Sequence, residues 1–182
     1  MKAPPSGTRG AAPAETRPGD ASWTPSASGY RRSELSRRVR LGGSPAEAPV
    51  TDADWSELRR LLLGWAVKTR SGFAVRPARP VAPGQRLDVI ARVPGARVVE
   101  PVEIVEVVDR EDRVGFAYRT RPGHPVSGEE AFVLQRSDGG VVLTVRSLTR
   151  AAPSGPWRAA YPLLRVVQIV VRYRYLRSLD AR

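Results

Sequence analysis

Cysteine is absent from this 182-residue chain. Its absence excludes disulfides, zinc–thiolate sites and thiol nucleophiles together. Histidine is nearly absent as well. His124 is the only one, which excludes a histidine-rich metal site. Lysine is scarce: Lys2 and Lys68 stand within a combined Lys and Arg count of 30. Long apolar runs are missing too. No segment approaches the ~18 apolar residues that a membrane-spanning helix needs. The N-terminus lacks the apolar stretch of a secretion signal, so the expectation is a soluble, cytoplasmic protein without a transmembrane segment. Walker loops, G-x-S-x-G elbows, Rossmann glycines and metal-ligand constellations do not occur, and no cofactor is expected.

Acid is also in short supply, 18 Asp and Glu, which leaves a formal net charge of +12. Such a field attracts polyanions. A C-terminal helix would carry Arg158, Arg165 and Arg172 as a ridge on its solvent face. An N-terminal arm adds Arg31, Arg32, Arg37, Arg38 and Arg40. Aromatic residues do not interleave with most of these arginines, so stacking on bases is poorly supported. The expectation is weak, salt-sensitive contact with nucleic acid or an anionic membrane, as a side effect of charge.

The rest of the chain is rich in pattern. Residues 1–28 hold Pro, Gly, Ser, Thr and Ala without a hydrophobic period, which predicts a disordered tail ahead of a single domain over 29–182. Residues 29–41 suit an edge strand or extended arm, ended by a Gly42-Gly43-Ser44-Pro45 turn. Thr51 can cap a helix whose first turn holds Asp52 and Asp54. Trp55, Leu58, Leu62 and Trp65 recur at helical spacing, and Gly72 closes that helix. From residue 73 to residue 150 the text is strands with short turns, among them Pro94-Gly95 and a hairpin turn at 137–140. Connections this short leave no room for crossover helices, so the sheet is antiparallel. Residues 162–179 read as a helix that packs on the sheet. The fold class expected is α+β: a curved antiparallel sheet of about six strands gripping a long C-terminal helix, with one helix in the N-terminal half. By fold analogy this is the helix-grip arrangement of START-like proteins and birch-pollen allergens.

The focal stretch is GFAYRTRPGHPVSGEEAF, from Gly115 to Phe132. Pro122 and Pro125 fix φ in its loop, while Gly123 and Gly128 permit values that other residues avoid. His124 with Glu129 or Glu130 is a candidate acid–base set, although strand alternation sends the two carboxylates to opposite faces. Tyr118 and Thr120 share a face and become ligand contacts if that face is concave. Arg146 and Arg150 could pair with Glu129 or Glu130, or hold an anionic group inside a cavity. Trp65 and Gln168 complete the candidate ligand-binding set.

These residues resemble a known family. The run from Phe116 to Phe132 with its GHP-x-SGEE motif, residues 65–72, Thr149-Arg150, Tyr161-Pro162, Gln168 and Tyr175-Leu176 are similar to the domain of unknown function nineteen-ninety. Gly29-Tyr30 and residues 37–42 match its N-terminal arm, so the resemblance covers about 29–179. Arg119 and Arg121 replace Gly and Leu of the family pattern. Lys68 stands where a histidine is common. The resemblance implies a fold and a site rather than an activity. Two functions compete: binding of a small, largely apolar ligand between sheet and C-terminal helix, or catalysis by His124 with Glu129 or Glu130 in that cavity.

Overall fold

Every strand pairs antiparallel with its neighbours, as the short turns require. A computed structural model describes residues 14–42, 50–93 and 96–181. Residues 1–13 of the expected tail, the turn at 43–45 and the Pro94-Gly95 turn lie outside the described residues. The strands are β1 (Arg31–Arg38), β2 (Phe73–Arg76), β3 (Arg86–Val93), β4 (Ala96–Asp109), β5 (Arg113–Thr120), β6 (Val126–Ser137) and β7 (Gly140–Ala151). They form one curved sheet in the order β1-β7-β6-β5-β4-β3-β2. The sheet has seven strands where about six were expected, because the basic arm pairs along all of β1 with β7, from Arg31 opposite Thr149 to Arg38 opposite Val142.

Alternation puts Val89, Val102, Ile104, Phe116, Phe132 and Leu134 on one face, all fully buried. Burial of each such side chain is worth roughly 1.5–3 kcal/mol. Helix α1 (Asp52–Leu63) covers part of this inner face with Trp55, Leu58 and Leu62. Its start is the expected one. Thr51 Oγ1 accepts from the Asp54 amide at 3.1 Å, and the Asp54 carboxylate accepts from the Thr51 amide at 3.1 Å.

The single helix expected to run on to Gly72 is instead two. The Gly64 amide closes on the Arg60 carbonyl and the Trp65 amide on that of Leu62. Trp65 then takes a left-handed φ of 68°, and α2 (Ala66–Thr69) restarts. A straight helix buries one stripe. The break lets consecutive residues Trp65, Ala66, Val67 and Lys68 all turn inward.

Residues 14–28 correct the tail reading. They lie on the outer face of the sheet, where Ala14 packs with Ala117 and Ala131 and Trp23 is only 3% exposed. The rest of their hold is polar. Arg113 Nε donates to the Pro18 carbonyl at 2.8 Å, and Arg146 Nη1 donates to the Arg17 carbonyl at 2.6 Å. The Thr16 amide donates to Glu129 Oε1 at 3.1 Å. A segment with few apolar side chains to bury is held chiefly through its carbonyls and amides.

After the short α3 (Pro156–Ala159), helix α4 (Tyr161–Arg177) lies over the open end of the inner face. Its sides are not those expected. Arg172 is buried rather than solvent-facing, while Leu163, Val166, Val170 and Tyr173 are exposed. Tyr175 and Leu176 anchor the last turn in the core. Asp180, just beyond it, accepts from Arg37 Nη1 at 2.7 Å and from the Arg40 amide at 3.0 Å. Arg158 and Arg165 remain exposed, so the expected three-arginine ridge loses its third member to the interior.

Candidate functional site

Between α4 and the inner face is a cavity of ≈110 Å³. Phe73, Leu164, Val167 and Val171 form its apolar wall, and Lys68, Glu100, Glu130 and Arg172 bring charge to it. Strand pairing explains the convergence. Tyr118 on β5 faces Glu130 on β6, which faces Ser147 on β7. All three side chains therefore stand on the inner face in one row across the sheet.

Lys68 is the centre of the floor. Its side chain is 1% exposed. Nζ donates to Tyr118 Oη at 2.6 Å, Tyr175 Oη at 2.7 Å and Glu130 Oε2 at 2.9 Å. An ammonium has three donors, and all three are used. The rings of Phe73, Tyr118, Phe132 and Tyr175 surround it with centroids 4.5–5.3 Å away. Their π faces add attraction for the cation. The Tyr118 hydroxyl donates in turn to Glu130 Oε2.

This cluster sets the titration of its members. Burial pushes the Glu130 carboxyl up, but Lys68, the Tyr118 hydroxyl and Arg172 outweigh burial and hold it below the usual range. Burial, reinforced by Glu130, drives both Tyr118 and Tyr175 well above an ordinary phenol. Glu100 enters no such cluster. Burial, opposed by Lys68 and aided by Glu130, pushes its carboxyl up to about 7.

Each candidate residue has a definite place. Tyr118, Thr120, His124, Glu130 and Gln168 line the cavity. His124 lies in the loop between β5 and β6. Its Nδ1 accepts from the Val126 amide at 3.1 Å, which puts the proton of the neutral ring on Nε2. Burial, and then the charge of Lys68, lower its pKa to about 4, so the ring is neutral at pH 7. Among the described residues no hydrogen bond joins His124 to either glutamate, so the expected acid–base pair is not formed.

Glu129 points the other way. On the outer face its Oε2 accepts from Arg119 Nη2 at 2.6 Å, and its Oε1 accepts from Thr16. Arg146 and Arg150 pair with neither glutamate. Arg146 Nε donates to Glu34 Oε1 at 2.9 Å on the outer face, and Arg150 stacks on Tyr30 with 4.6 Å to the ring centroid. Trp65 is core, edge-on to Phe116 with centroids 5.0 Å apart. Strand alternation explains the arginines: residues at even positions of β7 near Arg146 face outward, opposite Ser147 and Thr149.

Three residues that the cavity gathers carry little sequence signal as site residues. Lys68 departs from a family histidine, and as a lone internal lysine in an arginine-rich chain it is itself a signal. Glu100 sits in the apolar strand β4 beside Pro101. Arg172 falls on the helix stripe that periodicity assigns to solvent.

The family Domain of unknown function (DUF1990) matches residues 14–178, the outer-face segment included. The chain belongs to this family. A UPF0548 protein of Deinococcus radiodurans is 42% identical to the DUF1990 chain over 77 residues. That match covers 42% of this chain and 38% of the relative's length. Among solved structures, a hypothetical protein of Helicobacter pylori has a TM-score of 0.55 at 10% identity, covering 82% of this chain and 84% of that one. The Zhui aromatase/cyclase of Streptomyces sp. R1128 has a TM-score of 0.53 at 21% identity, covering 82% and 91%. These likenesses establish a helix-grip, START-like fold for this DUF1990 member. Among the described residues no helix is long and apolar enough to cross a membrane.

Glu100 offers a test of the cavity's electrostatics. Its folded pKa of about 7 exceeds the ordinary 4.5, so the native state holds a proton that the unfolded chain has lost between those values. Stability therefore falls as pH rises through that window. His124 acts with the opposite sign: its folded value of about 4 lies below 6.5, so stability falls as pH drops through that window. The two effects offset each other over the shared range. Glu100→Gln isolates one of them. It should raise stability at about pH 8 by roughly 1–3 kcal/mol and change little at about pH 4, read from urea unfolding at each pH. An equal effect at both would show that the Glu100 carboxyl titrates like a solvated one.

Proposed function

We propose that this protein binds a small, mostly apolar ligand between the inner face of its sheet and α4. The carrying observation is the cavity itself, where an apolar wall of Phe73, Leu164, Val167 and Val171 meets a few fixed polar groups. That combination is the usual make-up of a ligand site. An engineered apolar cavity of about 150 Å³ admits benzene. The ≈110 Å³ here suits a small ring or short chain. A longer ligand would extend past the first turns of α4, whose outer side is already exposed. Support also comes from the fold, since a curved sheet closed by one helix leaves such a space. The aromatase/cyclase likeness is one of fold and transfers no activity.

The test is native mass spectrometry of protein purified without denaturant. The expected result is an added mass that is lost on unfolding, together with a rise in melting temperature when octanol is added to stripped protein. Absence of both would sink the reading.

A further inference from the structure

Arg172 is a buried cation without a direct salt bridge among the described residues, although its charge reaches Glu130. It stands on the inner side of α4, lines the cavity and is 7% exposed. Nη2 donates to Ser147 Oγ at 2.6 Å, and Nε has no partner. Among the described residues no carboxylate comes within ion-pair distance of it, whereas the cavity's other cation, Lys68, is paired with Glu130 at 2.9 Å. Glu130 Oε2 is engaged by both Lys68 and Tyr118. Glu100 is pushed toward its neutral acid, and His124 is neutral at pH 7. The cavity thus carries Lys68 and Arg172 against one committed carboxylate and one half-neutral one.

A buried guanidinium with an idle donor is costly. The fork of donors on an arginine matches a carboxylate better than any neutral group. The sidedness of α4 agrees. Its polar Gln168 and Arg172 turn inward while Leu163, Val166 and Val170 face out. Gln168 and Arg172 lie among Leu164, Val171, Tyr175 and Leu176, and burial of apolar surface alone does not account for an arginine on that side.

We infer that the ligand is an amphipathic carboxylate. Its anionic end pairs with the Arg172 guanidinium, whose Nη1 has no hydrogen-bond partner among the described residues and is not sealed as Nε is. Its apolar body lies against Phe73, Leu164, Val167 and Val171. This rests on the cavity being a ligand site, and the experiment separates the two claims.

Octanoate and octanol, which differ only at the end group, are titrated calorimetrically into the full chain. In parallel the Arg172 Nε–H resonance is followed by NMR. Octanoate should bind at least tenfold more tightly than octanol and shift that resonance. Arg172→Gln should abolish the tenfold advantage, and Arg172→Lys should keep part of it. If octanol binds and octanoate binds no better, with the resonance unmoved, the carboxylate assignment is overturned and the apolar site stands. If neither binds, both claims fall. Should Arg172→Gln not fold, the wild-type resonance and the octanoate-to-octanol ratio still decide.

Discussion

Replacing Lys68 with methionine should cost about 3–5 kcal/mol of stability, the usual penalty for removing one partner of a buried ion pair. Methionine fills the volume, so the loss is electrostatic rather than a cavity effect. It strands the Glu130 carboxylate among Tyr118, Tyr175 and Phe132 without its nearest cation. It also removes the acceptor-matched donor from two buried phenols. The signature lies in the double variant. Lys68→Met with Glu130→Gln should recover much of the loss, because the uncompensated charge has gone, and a double-mutant cycle should show coupling of roughly 1–3 kcal/mol. Denaturant unfolding measures all three variants. A single variant within about 0.5 kcal/mol of wild type would contradict the cluster's structural role.

Gly128→Ala is expected to be worse still. A Cβ at Gly128 would lie 1.8 Å from the Leu148 carbonyl oxygen and 2.8 Å from its carbon, and φ there is 153°. The obstruction is backbone of β7, whose Thr149 is the register partner of Gly128. No side chain can step aside. The β6–β7 ladder has to open at the edge of the cavity, next to Glu129 and Glu130. We expect a loss of more than about 4 kcal/mol or failure to fold. Gly123→Ala is the control. Its φ of 96° is also left-handed, but the nearest atom to a Cβ is Pro101 Cγ at 3.7 Å. That change should cost only about 1–2 kcal/mol, the strain of the backbone alone. Comparable losses in the two variants would mean that conformation, and not the approach of β7, is what Gly128 provides.

Much of this fold was legible locally. Thr51 with Asp54 announced a helix start because a cap is a contact between residues three apart. Period-two alternation placed Tyr118 and Thr120 on one face and split Glu129 from Glu130. Short Gly- and Pro-containing connections dictated antiparallel pairing. The Gly115-to-Phe132 stretch pointed to the family whose match begins at residue 14. The break after Gly64 was less visible, since Trp65 continues the apolar stripe and only its left-handed φ interrupts the helix.

What the sequence by itself determined is therefore most of the elements, their pairing sense and which residues share a side. What only the tertiary structure decided is which side is inside and what waits there. Periodicity placed Arg172 with Gln168 on a polar stripe, and a polar stripe normally faces water. Here it faces Ser147 and a charged floor assembled from α2, β4, β5 and β6. Lys68 meets Tyr118 across 50 positions and Tyr175 across 107. Residues 14–28 read as disordered because their composition buries little apolar surface of its own. They are held by Arg113, Arg146 and Glu129, in bonds spanning 95, 129 and 113 positions. A buried charge or a backbone carbonyl is stabilised by whichever partner the fold brings to it, and that partner leaves no periodic trace near it in the chain.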